Sequence, residues 1–152
     1  MTTKKAQLDN ATTRESEVAR ACRRLVRTQS LKAAGVSALP IAGVDLYVNG
    51  KLLVATIARI NTAFGLAPEQ VARLAPPLRN RIDTLAQQIG GFLIGRVATQ
   101  AAVFAVARSL GLRLGAQQAA KLAPIVGQAA SAALAGWLFK RLCERHIRQC
   151  LE

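Results

Sequence analysis

The residue types best able to do chemistry lie near the C-terminus, where Cys143, His146 and Cys150 are spaced by three and four residues. This spacing places two thiols and the chain's single imidazole on one side of a helix. Thiolate and imidazole are zinc ligands, and Cys22 is a candidate fourth ligand. One straight helix, however, holds its ligands farther apart than the short loops of structural zinc sites do. We therefore expect no metal site here, only two semi-buried thiols and a surface imidazole.

Other catalytic patterns are missing from the sequence. A nucleophilic Cys–His pair would lack a third group to orient it. The chain has no phosphate-binding GxxxxGK[ST] loop, and Gly90-Gly91 followed by Gly95 does not match a dinucleotide fingerprint. Paired carboxylates are scarce because the chain holds eight acidic residues. We expect a protein that is not an enzyme, with no catalytic residues and no cofactor.

Asp45 is a carboxylate within the apolar run Gly43-Val44-Asp45-Leu46. Burying an unpaired carboxylate is costly, whereas a helix N-terminus stabilises one through its free N–H groups and its dipole. Two interpretations follow, a helix-capping residue or a buried partner of Arg96 or Arg59.

Composition predicts the fold class. The chain has 152 residues, 51% of them hydrophobic. Its 21 Lys and Arg against 8 Asp and Glu give a formal net charge of +13. Ala and Leu outnumber Val and Ile, and strand-like alternation is missing, which favours helix. We predict an all-α bundle of about four to six helices, with a polar leader over 1–11 and a single helical domain over 12–152. Three cysteines without framework spacing indicate a reducing compartment, and the N-terminal residues do not resemble a cleavable signal peptide.

An N-terminal basic amphipathic helix is predicted to begin at Thr12, with Glu15 completing a capping box. Its apolar stripe comprises Val18, Ala21, Cys22, Leu25 and Val26. Its arginines fall mostly off that stripe, which suits either a solvated bundle helix or a helix lying on an anionic membrane. The predicted lipid contacts are Arg20, Arg23, Arg24, Arg27, Lys140 and Arg141.

Proline, glycine and apolar runs predict the other helices. The first is a helix over about 41–63, which opens after Pro40 and ends at Gly65, and the second is a short helix that opens at Pro68 and is stopped by Pro76-Pro77. An apolar stretch follows over about 82–110. A turn over 111–115 then precedes a short helix over 116–122, and the last helix opens at Pro124. Leu39-Pro40-Ile41-Ala42-Gly43 is echoed by Ala123-Pro124-Ile125-Val126-Gly127, which suggests two similar corners.

Two stretches, over 90–107 and 122–139, approach the length of a membrane span. Small residues four apart predict a close helix–helix seam formed by Gly91, Gly95, Gly127 and Ser131. Arg96 lies near the middle of the first stretch, where insertion costs about 2.5–3.5 kcal/mol. Trp137 and Phe139 next to Lys140 resemble an interfacial anchor. Two spans, peripheral or partial insertion, and a soluble bundle are all left open.

The corner formed by Pro40, Gly43 and Asp45, together with three later motifs, carries a family resemblance. The later motifs are Phe64-Gly65, the Gly-rich run over 90–95 and the corner that Pro124 opens. Over about 31–145 the chain resembles the bacterial domain of unknown function found C-terminal to Era-like GTPase domains and in YcjF-type inner-membrane proteins. The resemblance implies an accessory partner of a P-loop GTPase.

The favoured function is a non-enzymatic, membrane-associated accessory or scaffold protein that binds anionic lipid and a protein partner. It would lie at the cytoplasmic face of the inner membrane, peripheral or integral. The alternative is a cytoplasmic, soluble helical homo-oligomer that acts as an interaction module. A third class is a basic nucleic-acid-binding protein, although neither an aromatic stacking platform nor a helix-turn-helix signature accompanies the charge.

Overall fold

The computed structural model describes residues 2–39, 44–88, 91, 93–109 and 126–152. Regular secondary structure in this part of the chain is entirely helical, which confirms the all-α bundle. The described helices are α1 (Thr2–Ser37), α2 (Val44–Ala63), α3 (Pro68–Ala72), α4 (Pro76–Gln88), α5 (Gln100–Ser109) and α6 (Val126–Leu151).

Three long helices form the core, with α1 antiparallel to both α2 and α6. Asn49, near the start of α2, donates from Nδ2 to the Ser37 Oγ at the end of α1, at 2.8 Å. In the middle of α1, Arg23 pairs with Glu144 near the end of α6. The buried apolar cluster includes Val26, Ile57, Ile60, Phe139, Cys143 and Ile147 from these helices, and α5 contributes Val103.

The first helix differs from the sequence prediction at its start and in its buried side. It begins at Thr2, so Thr12 and Glu15 lie inside the helix and do not form a capping box. The Thr13 hydroxyl donates to the Asp9 carbonyl at 2.7 Å, and this bond satisfies a polar side chain within a helix. Of the predicted apolar stripe, Cys22 and Val26 are buried and Val18 and Leu25 are half-buried. Ala21 is exposed instead, and Ala19 is buried.

Proline and glycine set the helix ends in the middle of the chain. Gly65 ends α2 at φ +74°, with its N–H bonded to the Thr62 carbonyl and the Leu66 N–H bonded to the Asn61 carbonyl. This is a Schellman cap, and it confirms the predicted role of Gly65. Pro68 opens α3 as predicted. Pro76 opens α4 rather than only stopping α3, because proline fits the first turn of a helix.

The predicted apolar stretch over 82–110 is not one helix. Its helical parts are the end of α4 and all of α5, and the described residues between them form turns and irregular backbone. Gly95 sits at φ +66°, which interrupts a right-handed helix, and its N–H bonds the Leu66 carbonyl at 3.0 Å. Arg96 is therefore exposed on a turn rather than placed within an apolar helix.

None of the helices in the described residues is both long enough and apolar enough to cross a bilayer.

Candidate functional site

One side of α1 presents a stripe of basic side chains. Arg20, Arg24, Arg27 and Leu31 are spaced by four, three and four residues, so they share one side of the helix, and all four are exposed. Val26 is fully buried on the inward side. A shallow groove of about 320 Å³ is lined by Arg20, Arg24 and Glu17.

The last helix carries a matching stripe. Trp137, Arg141, Glu144 and Arg148 are also spaced by four, three and four residues. The guanidinium of Arg141 lies 5.2 Å from the centre of the Trp137 ring, a cation–π contact within α6. Phe139 is buried in the core, so only the tryptophan of the predicted aromatic anchor faces outward.

Contacts between α1 and α6 join the two stripes into one surface. The Arg23 Nε lies 3.4 Å from the Glu144 Oε2, which brings the arginine side of α1 beside the outer side of α6. We call this surface the basic face, and it comprises Arg20, Arg23, Arg24, Arg27, Leu31, Trp137, Lys140, Arg141, Glu144 and Arg148. All six predicted lipid-binding residues are exposed and lie on it.

The basic face has an apolar edge. A Cβ placed on Gly136 would lie 3.2 Å from the Ala34 Cβ and from the Ser30 carbonyl oxygen, so Leu31 and Trp137 lie at the same level along the antiparallel pair. Leu31 is 69% exposed and Trp137 is 51% exposed. An apolar edge beside a basic surface combines hydrophobic and cationic contact on one side of the molecule.

The close helix packing occurs at a different place from the predicted seam. Gly91 and Gly95 lie between α4 and α5, outside any helix, so they form no helix–helix seam. Ser131 is fully buried in α6, and Gly127 is the second residue of that helix. A close approach of two helices is described at Gly136, which meets α1 over Ser30 and Ala34.

His146 is buried, not the predicted surface imidazole. Asn61 on α2 donates from Nδ2 to the Leu93 carbonyl at 2.8 Å, which turns its Oδ1 toward the His146 Nε2 at 2.7 Å. The Asn61 Oδ1 can only accept, so the His146 Nε2 carries the proton. Burial lowers the pKa of His146 to about 4 and keeps the imidazole neutral. This polar link joins α2, α6 and the segment before α5.

The three cysteines are free thiols, two of them buried and one half-buried. Burial raises the pKa of the Cys150 thiol to about 12, with a smaller contribution from Cys22, and it raises the pKa of Cys143 as well. Raised pKa values favour the protonated thiol over the thiolate. In the described part of the chain, no three His, Cys, Asp or Glu residues are placed to hold a metal ion.

The predicted corner lies largely outside the described residues. Pro40, Gly43 and Pro124 are among the residues that the structure does not describe, as are the predicted turn over 111–115 and the helix over 116–122. Asp45 is the second residue of α2, and nothing is described of its side chain. Its two suggested partners, Arg59 and Arg96, are both exposed.

Sequence reasoning missed Leu31 and Asn61. Leu31 continues the four-three-four spacing that begins at Arg20, and this repeat could have indicated it. Asn61 is an amide within the mostly apolar second half of α2, which signals a buried hydrogen bond.

Comparison with family models, with characterised proteins and with solved structures gives no match for this chain. The resemblance to the domain that follows Era-like GTPases stays a prediction.

Proposed function

We propose that this protein binds an anionic membrane surface through the basic face, as a peripheral and non-enzymatic accessory protein. The observation that carries the proposal is the composition of that face. Its residues include seven cations and one carboxylate, Glu144, which is paired with Arg23, and a second acid, Glu17, borders the face in the groove beside Arg20 and Arg24. Leu31 and Trp137 add an apolar edge at one end.

Each part of the basic face suits a lipid headgroup layer. Anionic lipid attracts a nearby Lys or Arg with about 1 kcal/mol per residue, so several such residues on one surface give useful affinity. Tryptophan favours the boundary between headgroups and acyl chains, because its ring is apolar and its N–H is polar. An exposed leucine at the same level gains free energy by leaving water.

A nucleic-acid duplex suits this face less well. Phosphates would use the arginines, but a duplex backbone gives Leu31 and Trp137 no apolar surface to bury. Binding to single strands relies on several aromatic rings that stack on bases, and Trp137 is the one aromatic residue among those of the basic face. The apolar edge therefore favours lipid over nucleic acid.

The accessory role includes a protein partner, for which the family resemblance suggests a P-loop GTPase. The membrane in question is then the inner membrane of a bacterium, at its cytoplasmic face. Affinity capture from membrane extracts tests this part of the proposal independently of lipid binding. Recovery of a GTPase would support it, and consistent recovery of no GTPase would count against it.

Vesicle co-sedimentation tests the proposal. The triple variant R20Q/R24Q/R27Q removes three charges from the basic face, and we expect about 100-fold weaker binding to vesicles of phosphatidylglycerol and phosphatidylcholine. The matched control R14Q/K32Q/R59Q removes three exposed charges outside the face, and we expect a change of several-fold at most.

Three outcomes would contradict the proposal. Equal losses for both triple variants would mean that net charge acts without a defined surface. Binding to duplex DNA but not to vesicles would favour the nucleic-acid class. A stable oligomer with no affinity for vesicles would favour the soluble interaction module.

A further inference from the structure

Helix α4 (Pro76–Gln88) carries an apolar stripe that the described core does not cover. Leu78, Ile82 and Leu85 are spaced by four and three residues and share one side of the helix. Leu78 is 49% exposed and Leu85 is 42% exposed. Within α4 only Ala86 is buried. The helix therefore turns most of its apolar stripe toward solvent.

Charges are arranged around this stripe in a defined way. At 100° per residue, Arg79 falls on one side of the stripe and Arg81 on the other. The one acidic residue of α4, Asp83, falls more than a quarter turn away, toward the polar side that also holds Asn80 and Gln87. An apolar stripe bordered by arginines, opposite a polar side, is the pattern of a helix lying in a membrane interface.

Ala86 and Ile82 are the least exposed residues of α4, so the side of the helix that bears them faces the rest of the protein. The Gly91 N–H bonds the Ala86 carbonyl at 2.7 Å, and a small cleft on this side is lined by Asp83, Ala86, Gln87, Gly91 and Arg96. Leu78 and Leu85 lie farther round the helix from Ala86, and their exposure leaves them free to contact another surface.

The flanking arginines distinguish between two occupants. If the stripe were covered by the same stripe of a second copy, two arginines from each copy would line one seam. The one acid of each helix, Asp83, lies farther from the stripe than Arg79 and Arg81 do, so repulsion between like charges would dominate there. On an anionic lipid surface the same arginines would lie among phosphates, with their methylene stems along the acyl boundary. Charge complementarity therefore favours lipid.

We infer that α4 is a second membrane-contacting element, which lies in the headgroup layer of an anionic membrane with Leu78 and Leu85 turned toward the acyl chains. This inference rests on the proposed function, because it assigns the same partner to a separate surface. It adds an apolar insertion to the mainly electrostatic contact of the basic face.

A relocated tryptophan tests the inference. In a W137F background, L78W places the only tryptophan on the apolar stripe, and N80W places it on the polar side of the same helix. With bound phosphatidylglycerol vesicles we expect a blue shift in emission for L78W and quenching by brominated lipid. N80W should keep the emission of a solvated indole. L78Q/L85Q should weaken binding roughly tenfold.

The outcomes separate this inference from the proposed function. If the L78W protein co-sediments with vesicles but its emission does not shift, α4 stays in water, and the inference fails while the basic face stands. A blue shift that needs no vesicles and grows with protein concentration would identify a second copy as the occupant and overturn the inference. If the unsubstituted protein does not bind vesicles at all, both proposals fail together.

Discussion

Arg23 on α1 and Glu144 on α6 meet across 121 positions of the chain, with the Arg23 Nε 3.4 Å from the Glu144 Oε2. The pair marks where two helices combine their outer sides into the basic face. Glu144 also offsets one positive charge in the middle of that face. Both side chains retain solvent contact, so the pair contributes little to stability.

Replacing Glu144 should therefore strengthen binding to anionic lipid. E144Q releases Arg23 and raises the charge of the basic face by one, and at about 1 kcal/mol per charge we expect roughly fivefold tighter binding to anionic vesicles. The free energy of unfolding should fall by less than about 1 kcal/mol. Vesicle titration and urea unfolding measure the two quantities.

E69Q provides the matched control, because Glu69 is an exposed acid on α3. It changes the net charge of the chain by the same amount as E144Q and leaves the basic face as it is. If E69Q tightened binding as much as E144Q does, the effect would belong to the whole molecule.

A large side chain at Gly136 on α6 should destabilise the protein. A leucine there would have to displace Ser30 and Ala34 of α1, so we expect G136L to lower the free energy of unfolding by about 1–3 kcal/mol. Gly35 on α1 has open space where a side chain would begin. We therefore expect G35L to raise the free energy of unfolding by about 0.5–1 kcal/mol, because leucine favours a helix more than glycine does. Similar losses for both variants in urea unfolding would mean that α1 and α6 do not pack closely at Gly136.

Gly95 should be sensitive because of its backbone, not because of a helix seam. Its φ of +66° favours glycine, so G95A should lower the free energy of unfolding by about 1 kcal/mol without changing the size of the particle. Thermal unfolding and analytical ultracentrifugation measure these effects. A change of oligomeric state in G95A would contradict this account and would favour the helix–helix seam that the sequence predicted at Gly95.

Stability should fall in acid because of His146. Its folded pKa of about 4 lies below the ordinary 6.5, so the unfolded chain binds the proton more readily between these values. The neutral imidazole makes its full contribution to the free energy of unfolding above about pH 6.5. As the pH falls toward 4, on the order of 3 kcal/mol of that free energy is lost. The urea-unfolding free energy measured between pH 7 and 4 should show this slope.

H146Q keeps an uncharged polar side chain at this position and should flatten the slope, although it should also lower stability at pH 7. An unchanged slope in H146Q would show that other groups titrate.

The sequence predicted those helix ends that a proline or a glycine marks locally. Gly65 ends α2 and Pro68 opens α3 because of the backbone conformations that glycine and proline favour, so both roles could be inferred without tertiary contacts. The arginines of α1 were placed outward because the spacing of its apolar residues is regular. The helix start at Thr2 does not follow from the sequence pattern, because residues 2–11 are mostly polar and carry no apolar stripe.

The two larger errors have one physical origin, since each needed knowledge of what packs nearby. Apolar content alone made 82–110 look continuous, whereas the positive φ of Gly95 and its bond to the Leu66 carbonyl depend on the distant end of α2. His146 looked like a surface residue because its partner, Asn61, lies 85 positions away. The basic face likewise needed the pairing of α1 with α6.

The most direct test uses Trp137, since it is the chain's one tryptophan and lies on the apolar edge of the basic face. Its emission is recorded while vesicles of phosphatidylglycerol, or of phosphatidylcholine alone, are titrated into the unsubstituted protein. We predict a blue shift with phosphatidylglycerol, quenching by brominated acyl chains and no shift with phosphatidylcholine. Vesicle-bound protein whose Trp137 emission stays that of a solvated indole would contradict membrane contact through this face.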